Sequence, residues 1–146
     1  MLHQICQDDR VFRTQVETFT LPLDEFNHEA HVRLAYIYLA TSGSTDAAID
    51  CMRKTLLGLL GHAGIDPSVK YHETLTQAWM RAVAHFMSRT RAADSAADFL
   101  DQNPQLRDAG IMQSHYSPSL LFSEEARAEF VEPDRSEIPR DGAFGE

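Results

Sequence analysis

Apolar residues recur at helical spacing along this chain up to about Gln102, and this periodicity constrains the fold more than any other feature. Alternation with a period of two, flanked by turn residues, is hard to find anywhere in the sequence. Of the 146 residues, 43% are hydrophobic and 24% are charged, as in ordinary globular proteins. A chain of this length can bury one core without disulfide or metal staples. We therefore predict an all-α fold, a compact helical bundle in a single domain.

Capping residues and helix breakers divide the periodic part of the chain into four main helices. The predicted helices run from Asp8 or Asp9 to before Pro22, from His28 to about Thr41, from Asp46 to about His62, and from near Tyr71 to about Ser88. Short helices follow, with N-caps at Ser95, Ser117 and Ser123. The domain is expected to cover residues 1–146, with residues 133–146 either wrapped around it or forming a flexible tail.

The charge of the chain indicates which partners to expect. Its 22 acidic and 13 basic side chains give a formal net charge of −9. Such a surface repels phosphate backbones, and the arginines are scattered instead of forming a basic stripe, so nucleic-acid binding is disfavoured. A small-molecule ligand is the expected partner, and a homodimer is the assembly to test for.

Cysteine usage and hydropathy bear on the compartment. Cys6 and Cys51 form no Cys-x-x-Cys pair and are too few for a disulfide framework, which favours a reducing environment. The first ten residues contain no apolar signal region, and no apolar stretch approaches the roughly 18 residues of a membrane span. We expect a cytoplasmic protein without a membrane segment.

Three histidines stand at the predicted starts of two amphipathic helices. His28 and His31 open the second main helix, and His72, followed by Glu73, opens the fourth. On a helical projection all three histidines fall on buried stripes, and their placement three residues apart lets His28 and His31 face the same ion. If both helices present their N-termini at the same end of the bundle, the three imidazoles converge.

This arrangement predicts a metal site with His28, His31 and His72 as ligands. Imidazole and carboxylate donors favour zinc or iron as the divalent metal ion. Glu73 is expected to act either as a fourth ligand or as the catalytic general base, and the sequence does not separate these roles. His115 is a candidate for an additional contact. The predicted function is a metal-dependent small-molecule enzyme or a metal-binding protein.

Two alternatives stand beside the metal site. The histidines could be structural, in a non-enzymatic helical interaction or accessory protein, or they could serve a metal-free acid–base enzyme. The spacing of His28 and His31 is not the four-residue spacing of the zinc-protease motif, so peptidase activity is not indicated. No nucleophile elbow, Walker loop or dinucleotide fingerprint is present in the sequence.

Several blocks of the sequence resemble a family of small uncharacterised bacterial helical proteins. These blocks are Phe26-x-His28-x-x-His31, Tyr71-His72-Glu73-Thr74-Leu75-Thr76, and Tyr116-Ser117-x-x-Leu120-Leu121-Phe122-Ser123-x-Glu125-Ala126-Arg127. The resemblance covers most of the chain. It implies that the C-terminal segment belongs to the domain, and it supplies no activity.

Overall fold

The helices begin and end close to the capping residues and breakers of the sequence. The computed structural model describes residues 2–138. Its α-helices are α1 (Gln7–Glu17), α2 (His28–Ser42), α3 (Thr45–His62), α4 (Pro67–Lys70), α5 (Glu73–Arg89), α6 (Ala96–Gln102), α7 (Pro118–Leu121) and α8 (Glu124–Ala128), with 3-10 segments at Leu23–Glu25, Pro104–Arg107 and Ala109–Ser114. No strand is present between residues 2 and 138, and the all-α prediction is confirmed.

Side-chain caps fix the starts of the longer helices. The side chain of Asn27 accepts a hydrogen bond from the Ala30 amide at 2.9 Å, and Ser44 caps α3 in the same way. The cap of α5 is less usual, because it is His72 itself, one residue before the helix. The fourth main helix therefore starts at Glu73 instead of near Tyr71, and His72 takes the role that serine or asparagine usually fills.

Helix α2 lies at the centre of the bundle and packs against α1, α3, α5 and α6. Its residues 34–39 are all buried, so it is apolar around nearly its whole circumference, as expected of a central helix. The core continues into α5 through residues such as Val83 and Met87. None of the helices in the described range is long and apolar enough to cross a lipid bilayer.

A buried carboxylate joins the first helix to the rest of the core. Asp9 is only 1% exposed, and its Oδ2 accepts hydrogen bonds from the amides of Cys6 and Ala96. Its Oδ1 pairs with Arg33 at 3.1 Å. One side chain thus satisfies amides at the starts of both α1 and α6, which fixes the two helices to each other.

The C-terminal segment lies along the bundle and is tied to α5. The Oγ1 of Thr74 donates to the carbonyl of Glu129 and accepts from the amide of Val131, at 2.9 and 3.1 Å. The first part of the predicted tail, residues 133–138, is also hydrogen-bonded, since Asp134 accepts from the amide and hydroxyl of Ser117. The remainder of the predicted tail, 139–146, lies outside the described residues.

Candidate functional site

Two neighbouring clefts open where α2 and α5 begin. The larger cleft has a volume of about 670 Å³ and lies among the Leu23–Glu25 segment, α2, the second half of α3 and the start of α5. Its wall is mainly apolar, and these side chains include Leu56, Leu59, Leu60, Ile65 and Leu75. The smaller cleft, of about 420 Å³, lies between α2, α5 and the Ala109–Ser114 segment.

The clefts share three lining side chains, so they lie next to each other. The shared residues are Phe26, His31 and Leu75. His72 lines the larger cleft and His28 lines the smaller one. The structure thus brings the three histidines singled out in the sequence to the same end of the bundle, with His31 in the middle.

His31 differs from the other two histidines because its ring has no hydrogen-bond partner among residues 2–138. The aromatic ring that it contacts within residues 2–138 is that of Phe26, edge to face, at 6.2 Å between ring centroids. Burial, with a smaller contribution from His28, lowers the pKa of His31 to about 4. The imidazole is therefore neutral at pH 7, and it offers one donor and one acceptor nitrogen to whatever occupies the cleft.

His28 uses one nitrogen in a structural contact. Its Nε2 lies 3.0 Å from the carbonyl oxygen of Leu106 and must donate, because a carbonyl can only accept. The ring also packs against Trp79 at 4.6 Å between centroids. His28 therefore holds the 3-10 segment Pro104–Arg107 against α2 and α5.

His72 uses both of its ring nitrogens. Its Nδ1 accepts from the amide of Leu75 at 3.1 Å and so caps α5, while Nε2 donates to the carbonyl of Leu121 at 2.6 Å. An accepting Nδ1 carries no proton, so this geometry requires the neutral ring. Burial lowers the pKa of His72, which favours the same form.

Glu73 is surrounded by donors. Arg53 donates to both carboxylate oxygens, at 2.9 and 2.5 Å, Tyr71 donates to Oε1 at 2.6 Å, and Gln77 donates to Oε2 at 2.6 Å. Burial by itself would raise the pKa of Glu73, but the hydrogen bonds from these three side chains outweigh it and lower the pKa to about 2. The carboxylate is ionised at all ordinary pH values.

The hydrogen bonds of His72 and Glu73 would have to be broken before these side chains could bind a metal ion. In the described part of the chain, no group of three or more His, Cys, Asp or Glu side chains is arranged to hold a metal ion. To act as ligands, His72 would have to release Leu75 or Leu121, and Glu73 would have to release one of its donors. His115 lies apart from both clefts, and its Nδ1 donates to the carbonyl of Ser136 at 2.6 Å. The metal triad stays a prediction.

Sequence reasoning missed three contributors to the site. Arg53 holds Glu73, Lys70 stands at the edge of the larger cleft, and the later leucines of α3 form its wall. The sequence did contain an indication of the cleft wall. The apolar stripe of α3 continues through Leu56, Leu59 and Leu60, and only part of this stripe packs in the core. Nothing in the local sequence pairs Arg53 with a carboxylate twenty positions away.

Comparison of the chain with protein-family models, curated protein sequences and solved structures gave no significant match. The resemblance to small bacterial helical proteins therefore stays a prediction, and the function is argued from the geometry alone.

Proposed function

We propose that the protein binds a small, largely apolar molecule in the two clefts around His31. The observation that carries the proposal is the state of His31. It is a neutral imidazole without a hydrogen-bond partner among the described residues, in the wall that both apolar clefts share. The residue is of intermediate burial, and its ring nitrogens are not among the fully buried unpaired atoms of the described residues. A ligand in the clefts can therefore hydrogen-bond to nitrogens that no other group of residues 2–138 occupies.

The size and chemistry of the clefts fit this function. Small-molecule sites usually measure about 300 to 1,000 Å³ and combine apolar walls with a few polar groups that fix orientation. The larger cleft, at about 670 Å³, falls within this range. The leucines of α3 supply apolar surface, whose burial drives binding, and a hydrogen bond to His31 fixes the orientation of the ligand.

Binding can be followed through Trp79, the only tryptophan of the chain, which lines the smaller cleft. We expect saturable, one-to-one binding of a neutral apolar probe, N-phenyl-1-naphthylamine, with a change in Trp79 emission. The variant Leu60→Phe, which fills part of the larger cleft, should weaken binding. The matched control Val11→Phe adds the same ring on α1, away from both clefts, and should not. Equal binding by the two variants, or no saturable binding, would contradict the proposal.

A metal-dependent form of the site is the second candidate. It is supported by His28 and His31, which both line the smaller cleft and stand one helical turn apart, and by the nitrogens of His31, which have no partner within residues 2–138. In this form zinc or iron would bind at the pair and act on a bound small molecule. We expect untagged protein titrated with zinc to bind one ion and His31→Leu to bind none, with His62→Gln as the control. A metal-free protein after titration would remove this candidate.

The non-enzymatic alternative is supported by the contacts of His28 and His72. Both rings donate to backbone carbonyls of distant segments, as structural histidines do. This alternative and a ligand site at His31 are compatible, because they concern different side chains.

A further inference from the structure

The edge of the larger cleft carries a lysine that forms no ion pair within residues 2–138. Lys70 is one of only two lysines in the chain, stands exposed at the end of α4 and lines the cleft. No carboxylate within residues 2–138 forms an ion pair with it. In a chain with a formal net charge of −9, an unpaired lysine beside an apolar cleft is a specific place for a ligand's negative charge.

The apolar interior of the larger cleft determines where the negative charge of a ligand can lie. Leucine and isoleucine make up nearly half of its lining side chains, and its charged side chains are exposed residues at the edge, Asp24 and Lys70. Moving an ion into apolar surroundings is expensive, whereas an ion at an exposed edge keeps most of its hydration. A charged ligand would therefore leave its charge at the edge and place an apolar part inside.

The arrangement of the two clefts bears on the shape of that apolar part. Because Phe26, His31 and Leu75 border both clefts, a narrow, flexible chain that passes these three side chains would reach from one cleft into the other. A broad, rigid molecule would occupy one cleft alone.

We propose that the ligand is a single-chain aliphatic monocarboxylate, with its carboxylate at Lys70 and its chain extending past His31 into the smaller cleft. This inference rests on the proposed function and specifies the class of molecule. The two charges at the edge then act in opposite directions on the ligand: Lys70 attracts the carboxylate and Asp24 repels it.

The test compares three twelve-carbon probes, dodecanoate, dodecanol and dodecylammonium, each below its micellar concentration, by displacement of N-phenyl-1-naphthylamine. We expect dodecanoate to bind more tightly than either dodecanol or dodecylammonium. Lys70→Gln should weaken the binding of dodecanoate by about 2- to 5-fold, the range of an exposed ion pair, and should leave the affinity for dodecanol unchanged. Asp24→Asn should strengthen the binding of dodecanoate by a similar factor. Lys54→Gln, which changes the other lysine outside the clefts, should have no effect.

Chain length tests the extension into the smaller cleft. Dodecanoate should change the emission of Trp79, whereas butanoate, whose chain is eight carbons shorter, should not. The inference is overturned if dodecanol binds as tightly as dodecanoate, if Lys70→Gln has no effect, if Asp24→Asn weakens dodecanoate, or if Trp79 does not respond. In each of these cases the proposed function survives as long as a neutral probe still binds in the clefts. Loss of all binding would remove both.

Discussion

The starts of α2 and α5 contain the same kinds of residue and differ in how many of them the fold engages. A histidine and a glutamate stand together at each start, His28-Glu29 in α2 and the cap His72 with Glu73 at α5. At α5, His72 has to cap the helix and Glu73 has to balance Arg53, so every polar atom of both side chains is engaged. At α2, Asn27 caps the helix, which leaves a histidine of the first turn, His31, without a hydrogen-bond partner within residues 2–138.

The difference teaches where to look for function in this molecule. A polar side chain at a helix start has a structural role when it is the hydrogen-bond acceptor for the free amides or the partner of a neighbouring cation. It is available to a ligand when another residue already makes those interactions. On this reasoning the start of α5 supports the fold, and the start of α2 carries the binding group.

The largest expected effect comes from removing the cation at the start of α5. Arg53→Met leaves Glu73 charged in a site where its side chain is only 10% exposed. Breaking a mostly buried pair from one side should lower the free energy of unfolding by about 3 kcal/mol, measured by urea denaturation at pH 7. Asp50→Asn removes only the exposed partner of Arg53 and serves as the control. A change below about 1 kcal/mol for Arg53→Met would contradict the structural role of this network.

The second effect concerns pH and His31. The pKa of His31 is about 4 in the folded protein and 6.5 when unperturbed, so the unfolded chain takes up a proton first as pH falls. The contribution of the neutral ring is complete above about pH 6.5 and declines as pH falls toward 4. Between pH 7.5 and 4, wild type should lose about 2 to 3 kcal/mol more stability than His31→Leu. Parallel pH profiles for the two proteins would show that His31 is not held neutral by the fold.

His72 should give the third effect. His72→Ala removes both the cap of α5 and the bond to Leu121, at a cost of about 2 kcal/mol in the free energy of unfolding. His72→Asn can still accept from the Leu75 amide and should recover about 1 kcal/mol of that loss. If alanine and asparagine are equally destabilising, the side chain does not act as a cap.

The smallest effect is expected at the cap of α2. Asn27→Ala should cost about 1 kcal/mol, and Asn27→Ser should restore most of it. Binding of N-phenyl-1-naphthylamine should persist in both variants, because in the proposed site the probe donates its N–H to His31 and not to Asn27. Loss of binding in Asn27→Ala while the protein remains folded would mean that the cap also belongs to the binding site.

The sequence was sufficient for the fold class and for most helix boundaries, because caps and breakers act locally. Ser95, Ser117 and Ser123 were recognisable as caps from their types and positions alone. Helical projection placed the three histidines on buried stripes at two helix starts, and it left open whether those starts meet. It did not show that His72 precedes its helix, since histidine is an uncommon cap and the apolar stripe passes through it.

The candidate site depends on contacts between distant positions, which local patterns do not encode. Glu29 and Arg33, four residues apart, have the spacing of an ion pair within a helix. Instead Glu29 pairs with Arg107 at 2.7 Å and Arg33 pairs with Asp9. In the same way, Leu121 and Leu106 present carbonyls to His72 and His28 only after the C-terminal segment has folded back. The commitment of each histidine to structure or to a ligand therefore follows from tertiary structure.

The bonds from α5 to the C-terminal segment also bear on the order of events during synthesis. His72 and Thr74 receive partners from Leu121, Glu129 and Val131, which are translated roughly fifty residues later. While the ribosome is still extending the chain, the polar groups at the start of α5 lack the hydrogen-bond partners that the later part of the chain will provide. The clefts can therefore reach their final form only after this late segment has emerged, and a nascent chain stalled before Leu121 should be unable to retain the ligand.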